Sequence, residues 1–423
     1  MIPSLGTAGS ATPSSPPSNR AAWARSPGYS CSSSHGIGSL DTHPQGAGVP
    51  ATARNGEDHA MAERLDASQL VDLAQRLRSA PPAEWTERPL RQLAAGLGWP
   101  WSEGRDGPVL HSGLATGDAR LRPAAEYPER YLELRNYIGL HVPVVVSAGT
   151  PAAQADDFRS AAIALTDAFG PSSIMGAHGN PGPFFDRPPT WGSPFRRWRT
   201  RSESLELRAV ASGTELALIP TEPLEEWHWR QGKVGEPGSL GGFFGVLGDS
   251  ANSGLGWPGG WRTDNWDEFT EALAELLTTL PAECRALRID LGIGIQGWCA
   301  SAARDWMIYL YCDDTLQLGV VDDALGIPEP EGGFEALGWT PVAEGMSPER
   351  LPQAMAYLSD EFGAGQVDGL GLAHLVVATA RALGTASPAT GLNLSDWSET
   401  VGGFVDDHTY SVKYYGMGLH EGG

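Results

Sequence analysis

The chain is predicted to be an α+β protein built of two modules, each an antiparallel sheet with packed helices. Three observations carry this. Runs with apolar residues at every second position are joined by hairpin turns, as at Ser212-Gly213 and Asp313-Asp314-Thr315. Long stretches with a 3.6-residue apolar period precede these strand sets instead of alternating with them, which argues against a parallel sheet. A glycine-rich stretch separates the two sets. The expected organisation is a disordered tail at 1–60, a first module at 61–230, a linker or ordered loop at 231–263, a second module at 264–392 and an extension at 393–423.

Residues 1–60 are rich in Ser, Pro, Gly and Ala and lack apolar periodicity, so their burial would not offset the entropy of ordering. Patterned sequence begins directly after Met61, which is read as the natural start, with the residues before it an upstream over-extension. Leu70, Leu73 and Leu77 then share a helical face. Thr86 is placed to cap a second helix carrying Leu90, Leu93 and Leu97, with Gly98 ending it. "HVPVVVSA" reads as a buried strand. Thr150 and Pro151 open a helix whose inner face is Ala155, Phe158, Ala162, Leu165 and Phe169. "TWGSPFRRWRTR" leads into the strands "SLELRAV" and "ELALIP". Leu205, Leu207 and Ala209 alternate, as do Leu216 and Leu218, so one face of this sheet is expected to be wet.

In the second module Asp264 is placed to cap a helix with Trp266, Phe269, Leu273, Leu276 and Leu280 along one side. Asp267 and Glu268 complement its N-terminal dipole. Three strands follow: "ALRIDLGIGI", "WMIYLYC" and "TLQLGVV". Ser347-Pro348-Glu349 is read as the start of a helix with Leu351, Met355, Leu358 and Phe362 inward. "LGLAHLVVATARALG" is a nearly all-apolar helix. The tripeptide Leu-Gly-Trp occurs at 97–99, 255–257 and 337–339, read as a weak internal duplication in which glycine supplies the left-handed helix exit.

Charge narrows the function classes. The net charge is −22, from 51 acidic and 29 basic residues, and such a surface repels phosphate backbones and anionic membranes. A partner polypeptide, basic in character, suits it better than nucleic acid or membrane. Lys233 and Lys413 are the only lysines, and neither lies in a phosphate-binding loop motif. Cys31, Cys284, Cys299 and Cys312 form no C-x-x-C pair and are read as buried reduced thiols, with Cys299 and Cys312 able to face each other across strands. No apolar run is long enough to span a membrane and no signal-peptide pattern opens the chain, so a cytoplasmic protein is expected.

The motifs that suggest chemistry fail on context. Gly292, Gly294 and Gly297 form a G-x-G-x-x-G after an alternating apolar run. Only eight residues, 298–305, separate it from the next strand, and a hairpin follows where a dinucleotide fold needs a helical crossover. The stretch is therefore read as a sheet strand, with Gly297 marking the turn out, and no cofactor is expected. Asp406, Asp407, His408, His420 and Glu421, like Asp322 and Asp323, are read as solvated charges, so no metal site is expected. No G-x-S-x-G is present. His374 sits in an apolar helix as a core histidine, and His111, His141, His178 and His228 show no partner pattern. "RRWRTR" is a basic–aromatic patch with Arg197, Arg199 and Arg201 on one face and Trp198 on the other.

The stretches "NWDEFTEALAELLTTL", "WMIYLYCDDTLQLGVV", "FEALGWTPV" and "LAHLVVATARALGTASPATGL" resemble the YbjN-like and type III secretion chaperone-like domains of actinobacteria, over about 264–392. The first module resembles, more distantly, an uncharacterised actinobacterial domain of α+β plan. The resemblance implies binding of partner polypeptides, often as a homodimer, with no catalytic residues to carry over. The function expected is thus non-catalytic, chaperone-like or adaptor binding of a protein. Trp191, Arg197, Trp198, Arg199, Trp306 and Trp339 are its candidate partner-binding residues. The alternatives are an immunity or regulatory protein neutralising a basic toxin, and an enzyme with a site between the modules.

Overall fold

Alternating apolar residues and glycine- or aspartate-bearing turns produce two large sheets, antiparallel but for one short pairing. The computed structural model describes residues 63–105, 107–124, 136–179, 189–222, 225, 242–247, 262–299, 301–321, 326–343, 355–394, 400–402, 409–415 and 417–421. In chain order the strands are β1 (Glu63–Arg64), β2 (Trp101–Gly104), β3 (Gly107–Leu110), β4 (Ala119–Pro123), β5 (Tyr137–Val146), β6 (Ile174–Ala177), β7 (Pro194–Arg199), β8 (Glu203–Val210), β9 (Gly213–Pro220) and β10 (Gly242–Leu247). They continue as β11 (Leu291–Cys299), β12 (Arg304–Cys312), β13 (Thr315–Val321), β14 (Thr340–Pro341), β15 (Met355–Leu358), β16 (Phe362–Gly363), β17 (Leu392–Leu394), β18 (Thr400–Gly402), β19 (Thr409–Tyr415) and β20 (His420–Glu421). The first sheet has twelve strands in the order β18-β19-β10-β6-β7-β8-β9-β5-β4-β3-β2, with β1 joined to β5. The second has eight, in the order β14-β15-β13-β12-β11-β17-β20, with β16 joined to β13.

The glycine-rich stretch at 231–263 thus supplies β10 to the first sheet. The extension at 393–423 supplies strands to both sheets. Residues 58–423 form one unit, and one hydrophobic cluster runs from Leu65 to Leu419.

The helices are α1 (Ala67–Ser79), α2 (Glu87–Leu97), α3 (Pro151–Phe169), α4 (Trp266–Leu287), α5 (Gly369–Ala382) and the short α6 (Pro388–Gly391). Thr150 Oγ1 accepts from Ala153 N at 3.3 Å, and Pro151 fills the first helical position of α3, where no amide hydrogen is needed. α2 ends at Gly98, whose φ of 73° is the left-handed exit, and Trp99 folds back with its amide on Ala94 O. Gly338 and Trp339 repeat this geometry after a 3-10 turn at Glu335–Leu337.

α4 is the central helix. It packs on α3 and α5 and touches β6 and β7 of the first sheet and β12 and β13 of the second. Phe269, Leu273, Leu276, Leu277, Leu280 and Leu287 are buried along it, each contributing about 2 kcal/mol of burial. Arg285 makes a two-point contact with Asp156 of α3, at 2.9 and 2.8 Å. At Gly369 the start of α5 lies so close to α4 that a Cβ there would stand 2.3 Å from Ala274 O. Only glycine permits this approach.

Several expectations need correction. The face of β7–β9 expected to be wet is buried, and cross-strand pairing of its charged side chains offsets the cost of burying them. Met355–Leu358 is a strand pairing with β13, not part of a helix. Met355, Leu358 and Phe362 fit a helical spacing, but so short a run fits a strand equally well. The N-cap of α4 is Asn265, whose side chain accepts from Asp267 N, while Asp264 instead accepts from Ser387. Leu287 ends α4 and does not begin a strand.

The G-x-G-x-x-G stretch lies inside β11, which continues through Gly297 to Cys299 and pairs antiparallel with β12. A strand–helix phosphate cradle is therefore not formed there. Gly297 faces the indole of Trp306, and a Cβ would stand 2.3 Å from that ring. Cys299 and Cys312 sit at opposite ends of the hairpin, opposite Arg304 and Leu291, so they do not face each other. Cys284, Cys299 and Cys312 are buried free thiols, and burial pushes the first and last of these up. The expected tail at 1–60, Cys31, His228, the second Leu-Gly-Trp at 255–257, Asp322, Asp323, residues 347–351 and Asp406, Asp407 and His408 lie outside the described residues. No helix among the described residues is long and apolar enough to cross a membrane.

Candidate functional site

One face of the first sheet packs Leu205, Leu207, Leu216, Leu218, Leu140 and Val142 into the core. The opposite face mixes charged side chains with smaller apolar clusters, Ile174, Phe195, Phe244 and Val246 in one and Ala217 and Ile219 in another. Its register forms a cross-strand row: Ile174, Arg197, Glu206, Ala217, His141, Arg120, Val109 and Ser102, from β6 to β2. Arg197 and Glu206 in this row are both 0% exposed. Arg197 Nε donates to Glu206 Oε2 at 2.7 Å, while Arg197 Nη1 and Nη2 stay buried without a hydrogen-bonding partner among the described residues.

His178 stacks on Phe195 at 4.1 Å, with Nε2 3.5 Å from Glu206 Oε1. Arg208 Nε donates to Glu215 Oε1 at 2.6 Å, and His141 Nδ1 lies 2.7 Å from the same oxygen. Arg199 pairs with Glu225. Burial alone would raise the Glu206 and Glu215 carboxyls. For Glu206, Arg197, His178 and Arg208 outweigh it and hold the group well below the usual range. For Glu215, Arg208 and His141 do the same. Burial is the largest influence on both histidines and lowers them, against the pull of the carboxylates beside them.

At its β2 edge this face surfaces. Ser102 Oγ lies 2.9 Å from His111 Nε2, and His111 Nδ1 lies 2.8 Å from Asp118 Oδ2. The loop joining β3 to β4 holds His111 and Asp118 at its two ends. It is stapled by Ser112 Oγ on Gly117 O, Leu114 N on Ser112 Oγ and Thr116 Oγ1 on Pro143 O. Ser112 N donates to the other oxygen of Asp118 at 3.2 Å.

A second feature is a cleft of about 580 Å³ along α4. Asp267, Thr270, Glu271, Ala274, Glu275 and Thr278 form its wall, spaced three and four apart on one helical face. Leu370 and His374 of α5 form the opposite lip, and Gly192 and Ser193 close the end. Its described lining holds four carboxylates, those of Asp267, Glu271, Glu275 and Glu283, and no Lys or Arg. Leu370 is 53% exposed, one of three large apolar side chains so exposed among the described residues.

Glu283 is 2% exposed, and its Oε1 accepts from Ser193 N at 2.9 Å. Gly192 makes this possible, because a Cβ there would stand 2.5 Å from Glu283 Cγ. Burial pushes the Glu283 carboxyl up to about 7, against the pull of its bonds to Ser193 and Thr279, and no cation among the described residues reverses this.

The expected partner-binding residues lie elsewhere. Trp191, Trp198, Trp306 and Trp339 are buried, as is Arg197, and none offers its side chain to the surface. Trp198 Nε1 donates to Gly170 O and Trp339 Nε1 to Thr379 Oγ1. Arg199 is half-buried on Glu225. His374, expected in the core, is exposed at the cleft lip. His111, His141 and His178, expected to lack partners, each stand beside a carboxylate. Among the described residues no group of three or more His, Cys, Asp or Glu side chains is placed to hold a metal ion. No family model, curated protein or solved structure matches this chain.

Proposed function

We propose that this chain is a polypeptide-binding protein whose cleft between α4 and α5 takes a basic, leucine-flanked segment of a partner. One observation carries this reading: a cleft walled by carboxylates, with no Lys or Arg in its described lining and an exposed leucine at its lip. The chain's net charge of −22 extends the same field and steers cationic partners toward it. The wall of the cleft is the first helix of the stretch with the chaperone-like resemblance, "NWDEFTEALAELLTTL". An adaptor and an inhibitor of a basic toxin would use the same cleft. They differ in whether capture leaves the partner active.

A fluorescein-labelled peptide of alternating Arg and Leu is the probe. Its fluorescence anisotropy should rise with wild-type protein, and the affinity should weaken as salt is added. Reversing two rim charges together (E271K/E275K) should weaken binding about tenfold or more, since both residues are exposed and their loss costs no core packing. A peptide of alternating Glu and Leu should not bind. Equal binding of both peptides, or no effect of the reversal, would remove the cleft from the account.

A further inference from the structure

The hydrogen-bonded chain Ser102–His111–Asp118 has the connectivity of a nucleophile, its base and the group that orients the base. An ionised Asp118 can only accept, so His111 must donate through Nδ1. Neutral His111 then has Nε2 free to accept, and the Ser102 hydroxyl must donate to it. The carboxylate thereby fixes the tautomer in which Nε2 is a base aimed at Ser102 Oγ. Ser112 N holds the far oxygen of Asp118, so the carboxylate is itself positioned.

The surroundings suit a reaction. β2 is the last strand of its sheet, and among the described residues none pairs with its outer edge. His111 N donates to Pro100 O, and Ser102 is paired with Val109. In an antiparallel ladder this alternation directs the amides of Trp101 and Glu103 away from β3, toward that outer edge. The Glu103 amide, directly after Ser102, is a backbone donor for a developing oxyanion. The side chains of His111 and Asp118 are 50% and 41% exposed, so a substrate can reach the site from solvent.

We propose that Ser102, His111 and Asp118 form a hydrolytic site for small carboxylic esters, separate from the cleft and independent of the reading given to it. Ser102 Oγ attacks the ester carbonyl carbon while its proton passes to His111 Nε2. The carbonyl electron pair moves onto oxygen, and its return breaks the bond to the leaving alcohol, which takes the proton from Nε2. Water then attacks the acyl carbon, giving its proton to Nε2. The bond to Oγ breaks, Ser102 regains a proton and the carboxylic acid leaves. Ser102 and His111 are the catalytic residues; Asp118 is a positioning residue.

The test uses the full chain, a fluorophosphonate probe and p-nitrophenyl acetate. The probe should label Ser102, identified by peptide mass spectrometry. Ester hydrolysis should fall on the order of 10²-fold or more in Ser102→Ala and in His111→Gln. Asp118→Asn should lower kcat with KM unchanged, and Asp118→Glu should restore part of it. Urea midpoints of the variants, measured alongside, separate lost chemistry from lost folding. Labelling of a different serine, no labelling of folded wild type, or hydrolysis by folded Ser102→Ala at the wild-type rate would each overturn the proposal.

Discussion

Glu206→Gln should lower the stability of the chain by about 3–5 kcal/mol at pH 7, read as a fall in the urea unfolding midpoint. Glu206 is fully buried between Arg197 and Arg208. Taking two charges out of water is costly, and their mutual attraction roughly repays it. Removing one partner alone leaves Arg197 buried without its ion-pair partner among the described residues and with two of its nitrogens already unsatisfied there. The double variant Glu206→Gln with Arg197→Met should recover most of the loss, because it removes the stranded charge as well.

The pH dependence follows from the same pairs. Glu206 and Glu215 ionise in the folded chain well below their ordinary value of 4.5. They therefore contribute stability above about pH 4.5, and that contribution drains away as the pH falls below it. An acid-unfolding profile of Glu206→Gln shallower than that of wild type is the expected result. A Glu206→Gln variant as stable as wild type at pH 7 would show that the pair is not buried as described.

Glu283→Gln should do the opposite. The Glu283 carboxyl ionises at about 7 in the folded chain, against an ordinary value of 4.5. Between these values the folded chain holds a proton that the unfolded chain has released. The Glu283 carboxyl therefore costs nothing below about pH 4.5, and its destabilising effect grows as pH rises from there toward 7. The rise from 4.5 to about 7 corresponds to about 3 kcal/mol of burdened stability at pH 8. Gln keeps the acceptor for Ser193 N and carries no charge. The variant should match wild type near pH 4 and exceed it by up to about 3 kcal/mol at pH 8, measured by urea unfolding at each pH. A residue that weakens the fold at neutral pH and lines a cleft fits the reading of that cleft as a binding site.

The parts of this architecture set by local chemistry were legible in the sequence. Thr150-Pro151 and Gly170 bound α3, and Asp313-Asp314 turns β12 into β13, because caps and turns depend on a few neighbouring residues. What depended on distant pairing was not. Alternation in "SLELRAV" marks Ser204, Glu206 and Arg208 as polar, but polarity implies exposure only when no partner meets those groups. Here Arg197 from β7 and Glu215 from β9 do.

The site residues divide in the same way. Asp267, Glu271 and Glu275 recur every four residues, a stripe on α4 that the sequence displays directly. That Glu283 continues the stripe into a buried end depends on Gly192 and Ser193, far away in the chain. Ser102, His111 and Asp118 are brought together by two successive hairpin connections, and no single segment carries a motif for them.

The most direct test of the cleft reading is to map where a basic peptide sits. A photoreactive form of the alternating Arg–Leu peptide, irradiated on the full chain, should attach to residues 267–279 of α4 and to Leu370 or His374 of α5, with attachment lost in E271K/E275K. Attachment spread over the surface, or concentrated away from α4 and α5 and unchanged by the charge reversal, would contradict the proposed function.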